Sequence, residues 1–269
     1  MKDMVYKFKK YLAIFLQLQK INVMRRTAYP VAFLVGFGTV FLTMFLNILF
    51  IKVNFSYITS VAGWSFYQVL AVLGSYMIVE GLMWIFFSQL NPINRHIIEG
   101  TLDGILLKPV DNQFLVSFWR GDYEDFARII TGGALLLTAM KNTIGFDLLH
   151  FCLFLLLLFF GVLIFYSFNL AIRSISFWIT EGSGLWIFME RVVNSSQFPV
   201  DIYYSKIVRG IFTFVVPLAF VATVPAKILT NIAIDWKFAV LSFAMTLFFF
   251  FGSRWFWKFS LGHYSSASS

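Results

Sequence analysis

The 269 residues are 59% hydrophobic and 20% aromatic, only 13% are charged, and the formal net charge is +8. A soluble domain carries roughly a quarter charged residues, so a water-soluble fold is excluded; a span needs about 20 apolar residues, so six spans would use about 120 and leave the rest for connections. The lone cysteine, Cys152, sits in a run of Leu and Phe and excludes an internal disulfide framework or a cysteine metal site.

The amino-terminal stretch decides what the positive charge means. Seven of the 21 Lys and Arg residues precede the first apolar run: Lys2, Lys7, Lys9, Lys10, Lys20, Arg25 and Arg26. Concentrated there, they read as a cytoplasmic anchor and not as a nucleic-acid surface. Gln17, Gln19 and Lys20 interrupt any signal-peptide core, and no small-residue cleavage site comes after them, so the amino terminus is expected to stay on the mature protein. On a helical projection of residues 3 to 25, Met4, Val5, Phe8, Leu12, Phe15 and Leu16 fall on one side, with Lys9, Lys10, Gln17 and Lys20 opposite. That pattern predicts an interfacial helix over 1–28 on the inner leaflet, in contact with membrane lipid. A disordered basic tail is the alternative.

Pro30 opens the first apolar run, 30 to 51, which ends at Lys52. The second covers 64 to 88, with Trp64 and Tyr67 at one edge and Trp84 nearer the other, as an aromatic belt requires. A third is predicted over 124 to 142 despite Arg128 and the Gly132-Gly133 pair, and a fourth over 147 to 171. The fifth, 174 to 194, contains Glu181, Glu190 and Arg191; the sixth, 236 to 257, closes with Arg254 and Lys258. The fold class expected is therefore all-α, with six transmembrane helices in one domain, and an even number of spans leaves both termini in the cytoplasm. On that topology Arg95, Lys108, Arg120, Arg128, Arg173, Arg254 and Lys258 join the first seven inside, and the remaining seven of the 21 lie outside. The bias agrees with the positive-inside rule.

Two connections are long, an inner one over 89–123 and an outer one over 195–235, and long ordered loops are usually functional. The outer one holds an apolar stretch, Ile211 to Val224, broken by Pro217 and Pro225. It is read as a segment that dips into the membrane and returns, with a seventh span as the alternative.

The nucleotide cradle G-x-x-x-x-G-K-[ST] does not occur in the chain, so any ATP is hydrolysed elsewhere. His96, His150 and His263 have neither metal-ligand spacing nor nucleophilic partners. The chain is accordingly not expected to be an enzyme. The inner loop alternates charge with apolar residues, and Leu102, Ile105 and Leu106 have the i, i+3, i+4 spacing of a short amphipathic helix stopped by Pro109. Such a helix either docks into a groove on another protein or lies on the membrane surface.

At this point the sequence resembles a known family, the ABC-2 type permeases, specifically a small six-span bacterial group that occurs as paired permeases with an ATPase. Gly100-Thr101-Leu102-Asp103 followed by Leu106-Leu107-Lys108-Pro109-Val110 is similar to that family's G-x-L-D…L-L-x-[KR]-P loop. Phe198-Pro199-Val200-Asp201-Ile202-Tyr203, followed by Phe214 to Phe220 and Pro225-Ala226, resembles its outer re-entrant region, and Gly262 to Ala267 its R-x-Y-x-S-A tail. His263 replaces the common basic residue and Tyr204 the common proline.

The resemblance implies a bacterial cytoplasmic (inner) membrane protein working with a second permease, identical or paralogous, and two ABC ATPase subunits that carry the ATP and Mg. It also implies that Glu99, Gly100, Thr101, Leu102, Asp103, Ile105, Leu106, Lys108 and Pro109 form a coupling helix seated on the ATPase. Phe198, Pro199, Asp201, Pro217 and Pro225 would shape the outer region. No cofactor is expected on this chain, and no nucleic acid.

Three carboxylates fall inside predicted spans, Glu80, Glu181 and Glu190. A carboxylate in lipid costs several kcal/mol unless it faces protein or water, so each is expected on the translocation path or in an inter-helix pair, Glu181 with Arg173 for example. Gly182 and Gly184 make the fifth span the expected subunit contact. An exporter of an amphipathic substrate is the leading reading. A secondary transporter or channel needing no ATPase is the alternative, with a membrane-embedded enzyme third.

Overall fold

The computed structural model describes residues 2–143, 147–179, 183–230 and 236–264. Glu181 and Gly182 of the predicted fifth span, and Ser265 to Ala267 of the tail motif, fall outside them. Among the described residues every regular element is helical, and the sole strand-like pairing is an isolated bridge between Val61 and Trp64. The long helices are α1 (Lys2–Thr27), α2 (Pro30–Phe55) and α3 (Phe66–Phe87). Three short ones come next, α4 (Ile93–Ile98), α5 (Asp103–Leu106) and α6 (Asn112–Phe118), before α7 (Phe126–Asn142) and α8 (Leu148–Ser174). The chain closes with α9 (Ser183–Asn194), α10 (Lys206–Gly210), α11 (Val224–Leu229) and α12 (Lys237–Leu261).

Four of these are long and apolar enough to cross a membrane: α2, α3 with its continuation to Ile98, α8 with its continuation to Phe177, and α12. A fifth is reached if Lys206–Val215 and Ala219–Leu229, bent 77° apart, count as one span. The predicted third span is α7, at 17 residues. The predicted fifth needs correcting. No Gly or Pro interrupts residues 162–178, so nothing stops α8 at 171; it runs to Ser174 and tightens into a 3-10 turn at Ile175–Phe177. The next helix among the described residues is the 12-residue α9, so 174–194 is not one continuous helix.

The bundle is organised around α3, the most buried of the long helices, which packs against α7, α8 and the second arm of the bent pair, while α12 packs on α8 and α2 stands outside against α7. Between apolar helices in lipid there is little hydrophobic drive, so close approach through small residues does the holding. A Cβ on Gly74 would lie 2.9 Å from the Gly132 carbonyl oxygen, and one on Gly132 would lie 2.8 Å from that of Gly74. Gly161 of α8 admits the Phe220 carbonyl in the same way, at 2.9 Å from where its Cβ would stand.

At one end, here the base, α4 to α6 fill the connection between α3 and α7, and α1 lies against them. At 1.5 Å per residue its 26 residues reach about 39 Å. Along that length its partners are all base residues: Tyr11 packs on Phe114, Phe15 on Phe86 and Phe118, Gln19 accepts from Tyr123 at 2.6 Å, and Arg26 pairs with Asp122 and Glu124. The predicted helix is there, but its apolar side is divided. Phe15 joins the protein, whereas Met4, Val5, Phe8, Leu12 and Leu16 stay exposed. The protein-facing stripe is Tyr11, Phe15, Leu18, Asn22 and Arg26, in which later polar residues replace apolar ones.

The Gly74–Gly132 contact generates a test. Gly74→Val forces a branched side chain into a backbone carbonyl and is expected to destabilise the bundle by about 1–3 kcal/mol. Gly133→Ala, which meets nothing within 4 Å, should leave the thermal midpoint of the purified protein in detergent unchanged or higher.

Candidate functional site

The base loop is built by punctuation in the sequence. Asn91-Pro92 forms the turn that leads from the end of α3 into α4, and Gly100 turns the chain with φ +67, a value L side chains rarely adopt. The Leu102 amide then donates back to the His96 carbonyl at 3.1 Å, and the His96 ring bridges Gln89 at 2.6 Å and Thr101 at 2.7 Å. Asp111 caps α6 by accepting from the Phe114 amide at 3.1 Å.

The structure separates the predicted coupling residues into two groups. Leu102 and Ile105 are buried with Ile93 and Ile97 in the main apolar core, and Leu106 packs half-buried against it. The predicted i, i+3, i+4 face therefore looks into this chain and not outward. The physical reason is size: α5 has four residues and cannot hold its place without burying that face. Glu99, Thr101, Gly104, Lys108 and Pro109 are exposed, with Gly100 and Asp103 half-buried. Two apolar residues that periodicity did not single out stand open beside them, Ile98 and Leu107, the latter 85% exposed. The signal for them was a break in spacing: Ile93, Ile97, Leu102 and Ile105 step by three to five residues, and Leu107 falls off that register.

A polar network fastens this loop to the spans. Arg254 of α12 donates to Asp111 Oδ2 at 2.9 Å and to Gln113 Oε1 at 2.8 Å. Gln113 in turn donates to the Tyr166 hydroxyl of α8 at 3.0 Å, and Ser117 lies 2.7 Å from that hydroxyl. The Asp111 amide donates to the Tyr11 hydroxyl of α1 at 3.2 Å. Thus α6 is held at once by α1, α8 and α12.

Burial alone would push the Asp111 carboxyl up, but the Arg254 guanidinium and the Phe114 amide hold it below its ordinary value.

Within the bundle Glu80 of α3 is buried and paired with Arg128 of α7, which also pairs with Asp125. Tyr76 and Trp84 stand one turn before and one turn after Glu80 on the same face of α3, and the Tyr76 hydroxyl donates to Asn194 at 3.0 Å. Glu80 is thus enclosed by protein and paired between helices. Its partner was visible in the sequence only as the charge that weakened the third span. Beside the pair opens a cavity of about 410 Å³ with Glu80, Trp84, Asp122, Arg173 and Glu190 on its walls. Arg173 donates to Asn91 at 2.9 Å. Its suggested pairing with Glu181 lies outside the described residues. Glu190 is exposed on α9 at the same cavity.

At the opposite end, Asp201 accepts from Lys227 at 2.6 Å and from the Trp64 indole at 3.2 Å, and Lys227 also lies over the Trp64 ring. Phe198 and Pro199 lead into this corner, where the Val200 amide donates to Thr223 at 3.1 Å. Pro217 stands in the bend between the two arms. The first arm is largely exposed, whereas Leu218 to Ala226, including Pro225, is buried. The outer residues predicted from separate motifs are thus brought together, with Lys227 and Trp64 added.

A model of the ABC-2 family transporter proteins matches residues 41–268, more than half of the chain. The chain belongs to the ABC-2 transporter family. It is a membrane transport permease, and both the base loop and the bent pair lie inside the matched region. No curated protein matches the chain.

Two outcomes are expected of this site. Arg128→Met strands two carboxyls in the bundle and should cost about 3–5 kcal/mol, read as a fall in unfolding midpoint in detergent; adding Glu80→Gln and Asp125→Asn should recover part of it. A depressed carboxyl contributes stability that is present above its unfolded value of about 3.9 and is lost as pH falls through the lower folded value. The thermal midpoint of the wild type should therefore drop more steeply below about pH 4 than that of Asp111→Asn.

Proposed function

We propose that this ABC-2 permease is the transmembrane subunit of an ATP-driven exporter in the bacterial cytoplasmic membrane, with its base toward the cytoplasm. Two ATPase subunits, which carry ATP and Mg, seat beneath it, and a second permease, identical or paralogous, completes the complex. Six crossings require, beyond the four long helices and α7, a broken one that includes the 12-residue α9, too short to cross alone as a continuous helix. An even count keeps both termini on the cytoplasmic side. The bent pair is read as a re-entrant segment, because its second arm is buried among α3 and α8 while its first arm remains exposed.

The observation that carries this reading is the mechanical attachment of the base loop. It joins α3 to α7 through the chain, and Asp111, Gln113 and Ser117 tie it to α12 and α8. A push on Ile98 and Leu107 would therefore reach α3, α7, α8 and α12 together. The residues of the resemblance divide the work. Glu99, Thr101, Lys108 and Pro109, with Ile98 and Leu107, offer the contact surface, while Leu102 and Ile105 hold the loop rigid behind it. The cavity at Glu80 and Glu190 supplies a polar surface within the bundle for the head of an amphipathic substrate. Its apolar part has aromatic walls at Trp84 and Phe87.

The test co-expresses the permease with the ABC ATPase of the proposed complex. Ile98→Glu together with Leu107→Glu changes exposed residues only, so the permease should retain its thermal midpoint while co-purification with the ATPase and transport-coupled hydrolysis fall at least tenfold. Undiminished binding would remove the coupling role. Transport by the permease alone, without the ATPase, would move the assignment to a secondary transporter or channel.

A further inference from the structure

Apart from the polar cavity, the bundle has a second hollow of very different chemistry. An apolar furrow of about 630 Å³ lies between α1, α3 and α8. Its floor includes the buried Leu158, and its lips are the exposed side chains of Phe8 and Phe159. Along α3 it extends from Ile78 to Phe86, and along α8 from Leu155 to Leu163. Eight residues at 1.5 Å each make a track about 12 Å long. Because it runs beside two spans, it points in the direction of lipid tails. At its base end it meets α1, which the ring contacts to Phe86, Phe114 and Phe118 hold in place.

Acyl chains are as apolar as the furrow, so filling it brings little affinity by itself. Selectivity has to come from the headgroup, and α1 supplies cations at that level. Lys9 directly succeeds the lip residue Phe8, and Lys20 stands eleven residues further, three turns on, along the same stripe of the helix. Both are exposed. Leu12 and Leu16 occupy the neighbouring stripe between them, so these two lysines flank the apolar side of α1 and, of the four residues expected opposite it, only Lys10 and Gln17 are there. The one acidic residue in α1 is Asp3, at its start. The helix therefore presents an apolar edge to the furrow and a lysine row beside it, as an amphipathic helix on an anionic leaflet does.

We propose that the furrow is a binding site for one anionic phospholipid of the leaflet at the base, with an acyl chain along α3 and α8 and its phosphate between Lys9 and Lys20. The bound lipid fills the gap between α1 and the spans, and so supports the interfacial helix where protein does not touch it. The site is separate from the Glu80 cavity and does not depend on which substrate the permease carries.

The experiment is native mass spectrometry of the full chain released from nanodiscs of equal phosphatidylglycerol and phosphatidylcholine. The wild type should retain phosphatidylglycerol in preference, one molecule per chain. Each lysine near an anionic headgroup is worth about fivefold in affinity, so K9Q/K20Q should lower phosphatidylglycerol retention about 25-fold and leave phosphatidylcholine unaffected. V162W, which fills the furrow, should lose both lipids while keeping helicity and gel-filtration behaviour. K9Q/K20Q alters the exposed face alone and decides the headgroup half even if V162W does not fold. Equal retention of the two lipids by the wild type, or unchanged retention in K9Q/K20Q, overturns the proposal. So does a V162W protein that keeps its lipid but changes oligomeric state, since the furrow is then a contact with a second copy.

Discussion

A charged pair in the interior of a membrane protein has no option of separating into lipid, because either group alone would sit uncompensated in a medium that cannot solvate it. Glu80 on α3 and Arg128 on α7 are such a pair, with Asp125 as the second anion. Once they meet, the lateral position and rotation of α7 relative to α3 are set. One to two turns further along, Gly74 and Gly132 bring the two backbones together, which is possible only if the rotation is already right. The other layers are then built on α3. Its remaining faces receive α8 and the buried arm of the bent pair, α12 closes over α8, and α2 attaches to the outside of α7.

Much of this was legible in the sequence because hydropathy reports what faces lipid. The runs that became α2, α3, α8 and α12 needed no knowledge of partners. Hydropathy fails where a segment is enclosed by protein. α7 carries Arg128 and two glycines and reads as a weak span, although those residues are what bind it to α3. The predicted fifth span failed for a different reason: helix ends are set by local breakers, and none lies between Val162 and Trp178. The base loop shows a third limit. Amphipathic spacing at Leu102, Ile105 and Leu106 correctly indicated a helix with one apolar face, but spacing does not say whether that face is buried at home or offered to a partner. Only the position of α5 over Ile93 and Ile97 decides that.

The base of the molecule also joins elements that the chain order keeps far apart. Asp111 touches Tyr11, Phe114 and Arg254, and through Gln113 it reaches Tyr166. A short stretch of loop thereby acts as the common footing of α1, α8 and α12. At the opposite end Asp201 has a similar part, holding the α2–α3 connection through Trp64 to the bent pair through Lys227. Both corners use one carboxylate with a long cationic partner and an aromatic or amide neighbour. Between them the Glu80 cluster is a third charged anchor, inside the bundle.

The divided surface of α1 bears on how the chain is made. The helix precedes in the chain the side chains that pack on its protein-facing stripe, which run from Phe86 to Glu124 and emerge only as the second span is being completed. During that interval the nascent segment must be retained by something other than its final bed, and the exposed Phe8, Leu12 and Leu16 with the adjoining lysines equip it to rest on the membrane. Tyr11, Phe15 and Arg26 find their partners later, on another side of the same helix. Two independent faces thus allow the ribosome's order of delivery to differ from the order in which contacts close.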